Sequence, residues 1–132
     1  MTEDKKTIKV LVIDDHPFFA TNLKYKLASH NYEVIAAKNG YEGIIKAKET
    51  QPEIILVDYI MPEMDGIETM QKLNKDPDLK SSYLMLYTSE AYPQVVEKSL
   101  KAGAKDFILK TTPFEKILEK FEKITGEMES EQ

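Results

Sequence analysis

The chain has 132 residues, no cysteine, no arginine and a formal net charge of -5. That length fits one domain able to bury about two-thirds of its extended surface, and the lack of cysteine excludes a disulfide framework and a thiolate zinc site. All 18 basic groups are lysine, which argues against direct nucleic-acid binding, because phosphate backbones demand clustered cations and guanine is read best by arginine.

The polar start, residues 1–7, carries no apolar run long enough for a signal peptide, and no later run is long enough to span a membrane. A cytoplasmic protein without membrane insertion is therefore expected. Strand-like apolar runs then alternate with helical patterns. Strands are predicted at about residues 8–13, 32–37, 53–58, 82–87 and 106–109. Between them, Pro17 opens a first helix whose Phe19, Leu23 and Leu27 recur at helical spacing, and His30-Asn31 closes it. A second helix is expected over about Tyr41 to Glu49, a third over Gly66 to Asn74, and a fourth over Pro93 to Ala102 with Gly103 as its C-terminal cap. The fifth has a capping box, with Thr112 as N-cap, Pro113 at the first position and Glu115 three residues beyond Thr112. Ile117, Leu118, Phe121 and Ile124 form its apolar face. Strict alternation of this kind predicts an α/β fold with a parallel sheet covered on both faces. The domain is expected over residues 8–125, followed by a polar, frayed tail at 126–132.

The chemistry-bearing residues fall at strand ends. Asp14 and Asp15 follow the first strand, Asp58 the third, Thr88 the fourth and Lys110 the fifth. In an open parallel sheet those ends meet in one crevice. Three gathered carboxylates repel each other and either hold protons or recruit a hard cation, for which magnesium is the natural candidate. A carboxylate nucleophile at Asp58, a metal held by Asp14 and Asp15, a hydroxyl and a lysine supply what in-line phosphoryl transfer needs. No general base is required, since Asp58 is ionised at neutral pH.

The sets Ile13-Asp14-Asp15, Asp58-Tyr59-Ile60-Met61-Pro62-Glu63-Met64-Asp65-Gly66, Thr88-Ser89 and Lys110, in this order and each after its own strand, resemble the receiver domain of two-component response regulators over residues 8 to 124. The resemblance implies an α/β fold of doubly wound, flavodoxin-like (βα)5 form, a three-layer sandwich with sheet order 2-1-3-4-5, and it implies that Asp58 is the phosphoacceptor for a sensor histidine kinase or phosphotransfer protein. It implies that Asp15 binds Mg2+ directly, that Asp14 helps through water, and that the Ile60 backbone carbonyl completes the ligands beside Asp58. Lys110 and Thr88 would contact phosphoryl oxygens. Thr88 and Phe107 would form a switch that remodels the face of the fourth helix, fifth strand and fifth helix for a downstream protein, in a monomer or a weak phosphorylation-dependent dimer. Such a domain is a phosphoacceptor that catalyses its own phosphorylation and dephosphorylation rather than a conventional enzyme.

Three departures from the family pattern carry expectations. Phe107 stands where tyrosine is frequent, and lacking a hydroxyl it gains less outside, so its inward state is expected to be more populated. Thr111 follows Lys110 where many receivers have a proline in a cis peptide, leaving cis or trans open at a cost of about 2.5–4 kcal/mol for cis. Ile60 cannot orient a water, so slow self-dephosphorylation is expected. Asp14-Asp15-His16-Pro17 and Lys110-Thr111-Thr112-Pro113 look like receivers that precede LuxR-type helix-turn-helix domains, yet no such domain follows. That points to a stand-alone, chemotaxis-regulator-like receiver or a piece of a longer regulator.

Single residues also have plainer roles. His16 reads as a cap-region residue rather than a ligand, His30 as a helix-end imidazole, and Thr88 as a helix cap. Met61, Met64, Met70 and Met85 read as core or loop packing, and Lys98, Lys101 and Lys105 as a solvated face. Phe18 is either core or a docking residue for a kinase helix. Three rival functions follow from the same groups. A haloacid-dehalogenase-like phosphatase needs an acid two residues after its nucleophile, where this chain has Ile60 or His16. A flavodoxin-like cofactor carrier needs a first loop free of the repelling Asp14 and Asp15. A phosphorylation-independent scaffold predicts lost acids, and all are present.

Overall fold

The computed structural model describes residues 6–130, apart from the side chains of Glu129 and Ser130. Most of the polar N-terminal segment and the last two residues of the tail lie outside the described residues. Five strands, β1 (Ile8–Ile13), β2 (Tyr32–Ala37), β3 (Ile54–Val57), β4 (Tyr83–Thr88) and β5 (Asp106–Leu109), form one parallel sheet in the order β2-β1-β3-β4-β5. The helices are α1 (Pro17–Leu27), α2 (Gly40–Thr50), α3 (Gly66–Lys75), α4 (Pro93–Lys101) and α5 (Phe114–Ser130). The parallel sheet expected from the alternation, and the flavodoxin-like strand order expected from the resemblance, are both observed.

The pleat divides the apolar residues between two cores. Val10, Val12, Ile54, Leu56, Met85, Tyr87 and Ile108 point to the side where Leu23 and Leu27 of α1 and Ile117, Phe121 and Ile124 of α5 pack. Leu11, Ile13, Ile55, Val57, Leu84 and Leu86 point to the other side, against Ala47 of α2 and Met70 and Leu73 of α3. Successive strand residues face opposite ways, so a strand covered on both sides along its whole length must be apolar throughout, as Ile54-Ile55-Leu56-Val57 is. The four methionines singled out in the sequence are all buried.

Helices α2, α3 and α4 end within one residue of expectation, and three differences in α1 and α5 have a local cause. The first helix ends at Leu27 and passes through a 3-10 turn, Ala28–His30, before Asn31 turns the chain at φ 68°. The fifth starts at Phe114, one residue after the capping box places it, and the Pro113 carbonyl receives the Lys116 and Ile117 amides. It also continues through Gly126 to Ser130, beyond the point where a frayed tail was expected. Met128, packed against the α1/α5 core, explains that extension. Gly103 follows α4 at φ 115°, a conformation that suits glycine. Among the described residues no helix is long and apolar enough to cross a membrane.

Candidate functional site

Register brings the acids together. Ile13 pairs with Val57, so Asp14 and Asp58 each stand one step past paired residues, and the Asp58 amide donates to the Ile13 carbonyl at 2.9 Å. The Lys110 amide donates to the Thr88 carbonyl at 2.8 Å, which ties the ends of β4 and β5 in the same way. Asp14 follows Val12 in the alternation, Asp58 follows Leu56 and Lys110 follows Ile108, all on the α1/α5 side. Thr88 follows Leu86 on the opposite side, where Phe107 and, from α4, Val95 and Val96 pack against one core. The charged cluster and the expected switch pair therefore extend strand positions of opposite parity, and Thr88 still reaches the cleft shared with Asp58 and Lys110 at the strand ends.

The Lys110 ammonium is nearly buried. It lies 2.6 Å from Asp14 Oδ2 and 3.4 Å from Asp58 Oδ1, 4.4 Å from the ring centre of Phe19 and 5.6 Å from that of Tyr87. Phe19 meets Tyr87 edge to face at 6.1 Å. Two carboxylates and two aromatic rings thus hold one cation, a combination of Coulomb and cation–π attraction that fixes its position. The sequence reading missed Phe19 and Tyr87 as part of the site. The signal was present in the pleat, because Tyr87 follows Met85 on the side shared by Ile108 and Lys110.

Burial pushes the Asp58 carboxyl up to about 6, with Asp14 and Asp15 adding to the rise and Lys110 opposing it. Burial, with Asp14 and Asp58 nearby, pushes the Tyr87 phenol up to about 12. Asp14 Oδ2 and Asp15 Oδ1 are buried and accept no hydrogen bond of good geometry. Their near neighbours are the Lys110 ammonium and the His16 ring. Single ligand atoms of Asp14, Asp15, His16 and Asp58 all lie within 4.8 Å of one another. Acidic oxygens converging this closely, with Asp15 Oδ1 buried and without a hydrogen bond, fit a divalent cation.

The loop after β3 brings Ile60 to the rim, 75% exposed. Its return is fixed by the Gly66 amide, which donates to the Tyr59 carbonyl at 2.8 Å. A Cβ at Gly66 would stand 2.2 Å from the Asp58 carbonyl oxygen. Thr88 is buried, and its hydroxyl donates to the Glu90 carbonyl at 3.1 Å. Tyr92, not Thr88, is the N-cap residue of α4. The Lys110–Thr111 peptide is trans. Phe18 is 59% exposed, so it is not core. Asp15, Asp58, Phe19, Thr88, Tyr92 and Lys110 are among the residues lining a cleft of about 500 Å³.

Fold and cleft together describe a flavodoxin-like signalling domain rather than a cofactor carrier, because the first loop presents carboxylates where a bound phosphate needs bare amides. The family model described as the response regulator receiver domain matches residues 10–122. Chemotaxis protein CheY of Listeria monocytogenes is 37% identical over 118 residues, 88% of this chain and 97% of that protein. Response regulator protein VraR of Staphylococcus aureus is 38% identical over 109 residues, 80% of this chain and 51% of that protein. Among solved structures, a CheY-like receiver domain protein from Methanospirillum hungatei superposes with a TM-score of 0.87 at 28% identity, over 96% of this chain and 100% of that one. This chain belongs to the response regulator receiver family, the signalling modules of two-component phosphorelays.

Proposed function

We propose that Asp58 accepts a phosphoryl group from a histidine kinase or phosphotransfer protein and that the resulting charge resets the Thr88–Phe107 side of the sheet. The observation that supports this most directly is the Asp58 carboxylate set at the cleft between Lys110 and the acidic pair. An Asp58 oxygen forms the new bond to phosphorus. The bond from phosphorus to the donor imidazole nitrogen breaks, and its electron pair stays on that nitrogen. With its carboxyl at about 6, Asp58 is mostly ionised at neutral pH and ready to attack.

Asp14, Asp15, Asp58 and the Ile60 carbonyl would hold Mg2+, which when bound neutralises charge on the phosphoryl oxygens. Lys110, already 3.4 Å from Asp58, would move from carboxylate to phosphoryl oxygen with little travel. The Thr88 hydroxyl would exchange its bond to the Glu90 carbonyl for one to the phosphoryl group, drawing the β4–α4 loop inward. Phe107 of β5, packed against the same core as Val95 and Val96 of α4, is placed to answer that shift. A downstream protein would then read the face formed by α4, β5 and α5. The exposed Phe18 beside the acidic pair would help dock the phosphodonor. We place the protein in the cytoplasm, as a monomer or a phosphorylation-dependent dimer.

The test is intact mass after incubation with acetyl phosphate and magnesium, for wild type, for Asp58→Ala and with chelator. One added phosphoryl group, lost with Asp58→Ala and with chelator, is expected. No gain in wild type, with no beryllofluoride binding, would favour a phosphorylation-independent scaffold.

A further inference from the structure

His16 is the N-cap residue of α1, as its place before Pro17 suggests, but its side chain makes no cap bond. Pro17 at the first helical position biases the preceding residue away from helical backbone, and His16 accordingly takes φ -101° and ψ 103°. Its amide donates to Asp14 Oδ1 at 2.9 Å, which anchors the residue by its backbone. The ring is left free to turn toward the acids, with Nδ1 3.2 Å from Asp15 Oδ1 and 3.5 Å from Asp14 Oδ1.

Ligands opposite each other across an ion with bonds of about 2.1 Å stand about 4.2 Å apart. The four ligand atoms of Asp14, Asp15, His16 and Asp58 span no more than 4.8 Å, so a few tenths of an ångström of adjustment suffice. Lys110 already pairs with Asp14 Oδ2 and Asp58 Oδ1. What remains on the open side is Asp15, whose Oδ1 is buried without a hydrogen-bond donor, the second Asp58 oxygen and the imidazole. The ring is 67% exposed, which keeps the approach open to solvent. Magnesium gains little from imidazole because it prefers oxygen. Cobalt, nickel and zinc gain a nitrogen bond and bind such mixed donor sets more tightly.

Resting on the receiver reading, we propose that His16 Nδ1 is a ligand of the acidic site and makes it select late first-row divalent ions over magnesium. The role is one of metal selectivity at the site that would serve phosphoryl transfer, and His16 takes no part in the bond changes at phosphorus. His30, the other histidine of the chain, lies near the Phe114 ring at 5.8 Å and serves as an internal control.

The experiment uses the full chain. Long-range 1H–15N spectra of the histidine rings are followed during a Zn2+ titration, with His30→Gln assigning the signals. Calorimetric titrations with Co2+ and Mg2+ give the ratio of the two affinities for wild type and His16→Asn. The His16 Nδ1 resonance is expected to move while His30 stays, and the Co2+ to Mg2+ affinity ratio is expected to fall at least about tenfold in His16→Asn. An unmoved His16 ring, or an unchanged ratio, would overturn the proposal. Acetyl phosphate labelling of wild type separates the two readings. Labelling with a silent His16 removes only the metal ligand, whereas no labelling removes the receiver chemistry and this inference with it.

Discussion

Asp58 pays for its readiness with stability. Its carboxyl, ordinarily at 3.8, is pushed up to about 6, first by burial and then by Asp14 and Asp15, against the pull of Lys110. Between those two values the folded protein binds more protons than the unfolded chain, so stability falls as pH rises through the window. The stabilising proton is fully present below 3.8 and gone above about 6. The cost at neutral pH is at most about 3 kcal/mol, and the open side of the cleft reduces it to about 1–2 kcal/mol. In metal-free buffer, Asp58→Asn is therefore expected to be more stable than wild type at pH 7.5 and equal to it near pH 4, as read by urea unfolding. An equal gain at both pH values would contradict the assignment. Ile60 gives a second prediction at this scale. Its apolar, exposed side chain offers a hydrolytic water nothing to hold, so Ile60→Asn is expected to shorten the phosphoryl lifetime by about tenfold, equivalent to about 1.4 kcal/mol of barrier. An unchanged lifetime, followed by intact mass, would reject it.

Elements act through their ends. The β3–α3 loop holds Asp58 because Gly66 lets the chain return against it, and Gly66→Ala would drive a Cβ into the Asp58 carbonyl oxygen. Overpacking against backbone costs about 1–3 kcal/mol, and chemical denaturation should show a loss in that range together with slower acetyl phosphate labelling. Stability lost with labelling intact would mean that the loop relaxes without moving the phosphoacceptor. Helix α1 acts through Phe19, whose ring faces the Lys110 ammonium. Phe19→Leu keeps apolar bulk but removes the π face, worth about 1 kcal/mol, so labelling is expected to slow about fivefold. These contacts also mark where the sequence stops being legible. Asp14, Asp15, Asp58, Thr88 and Lys110 could be placed at one edge because each follows an apolar run. The Lys110 cage could not, because it joins a helix residue, Phe19, to strand residues through packing depth that no local pattern encodes. The start of α5 was missed by one residue because Thr112-Pro113 carries a capping pattern that the Pro113 carbonyl realises instead. The end of α5 was missed because polar composition hid the single apolar contact of Met128.

At the scale of the whole molecule, the sheet separates two jobs. Strand residues of one parity build the α1/α5 core and, one step past the strand ends, the Lys110–Asp14–Asp58 cluster. Residues of the other parity build the α2/α3/α4 core and end at Thr88, with Phe107 beside it. Chemistry on one face can therefore reach the other only through the strand ends and the loops that leave them, a short path for a two-state element. The acid cluster also couples the fold to its metal. A cation bound by the folded chain alone stabilises it by about 2.7 kcal/mol at a hundredfold excess over its Kd, and for a domain of this size that is an upward shift of about 7–12 °C in Tm. Binding requires Asp58 ionised, so the shift must depend on pH in the sense opposite to the metal-free stability. With 10 mM Mg2+, the gain in Tm is expected to be large at pH 8 and small at pH 5, below the value of about 6 reached by the Asp58 carboxyl. Asp15→Asn should abolish it at both. An equal gain at pH 5 and pH 8 would place the cation away from Asp58, and the coupling between phosphoacceptor and metal would have to be sought elsewhere on the surface.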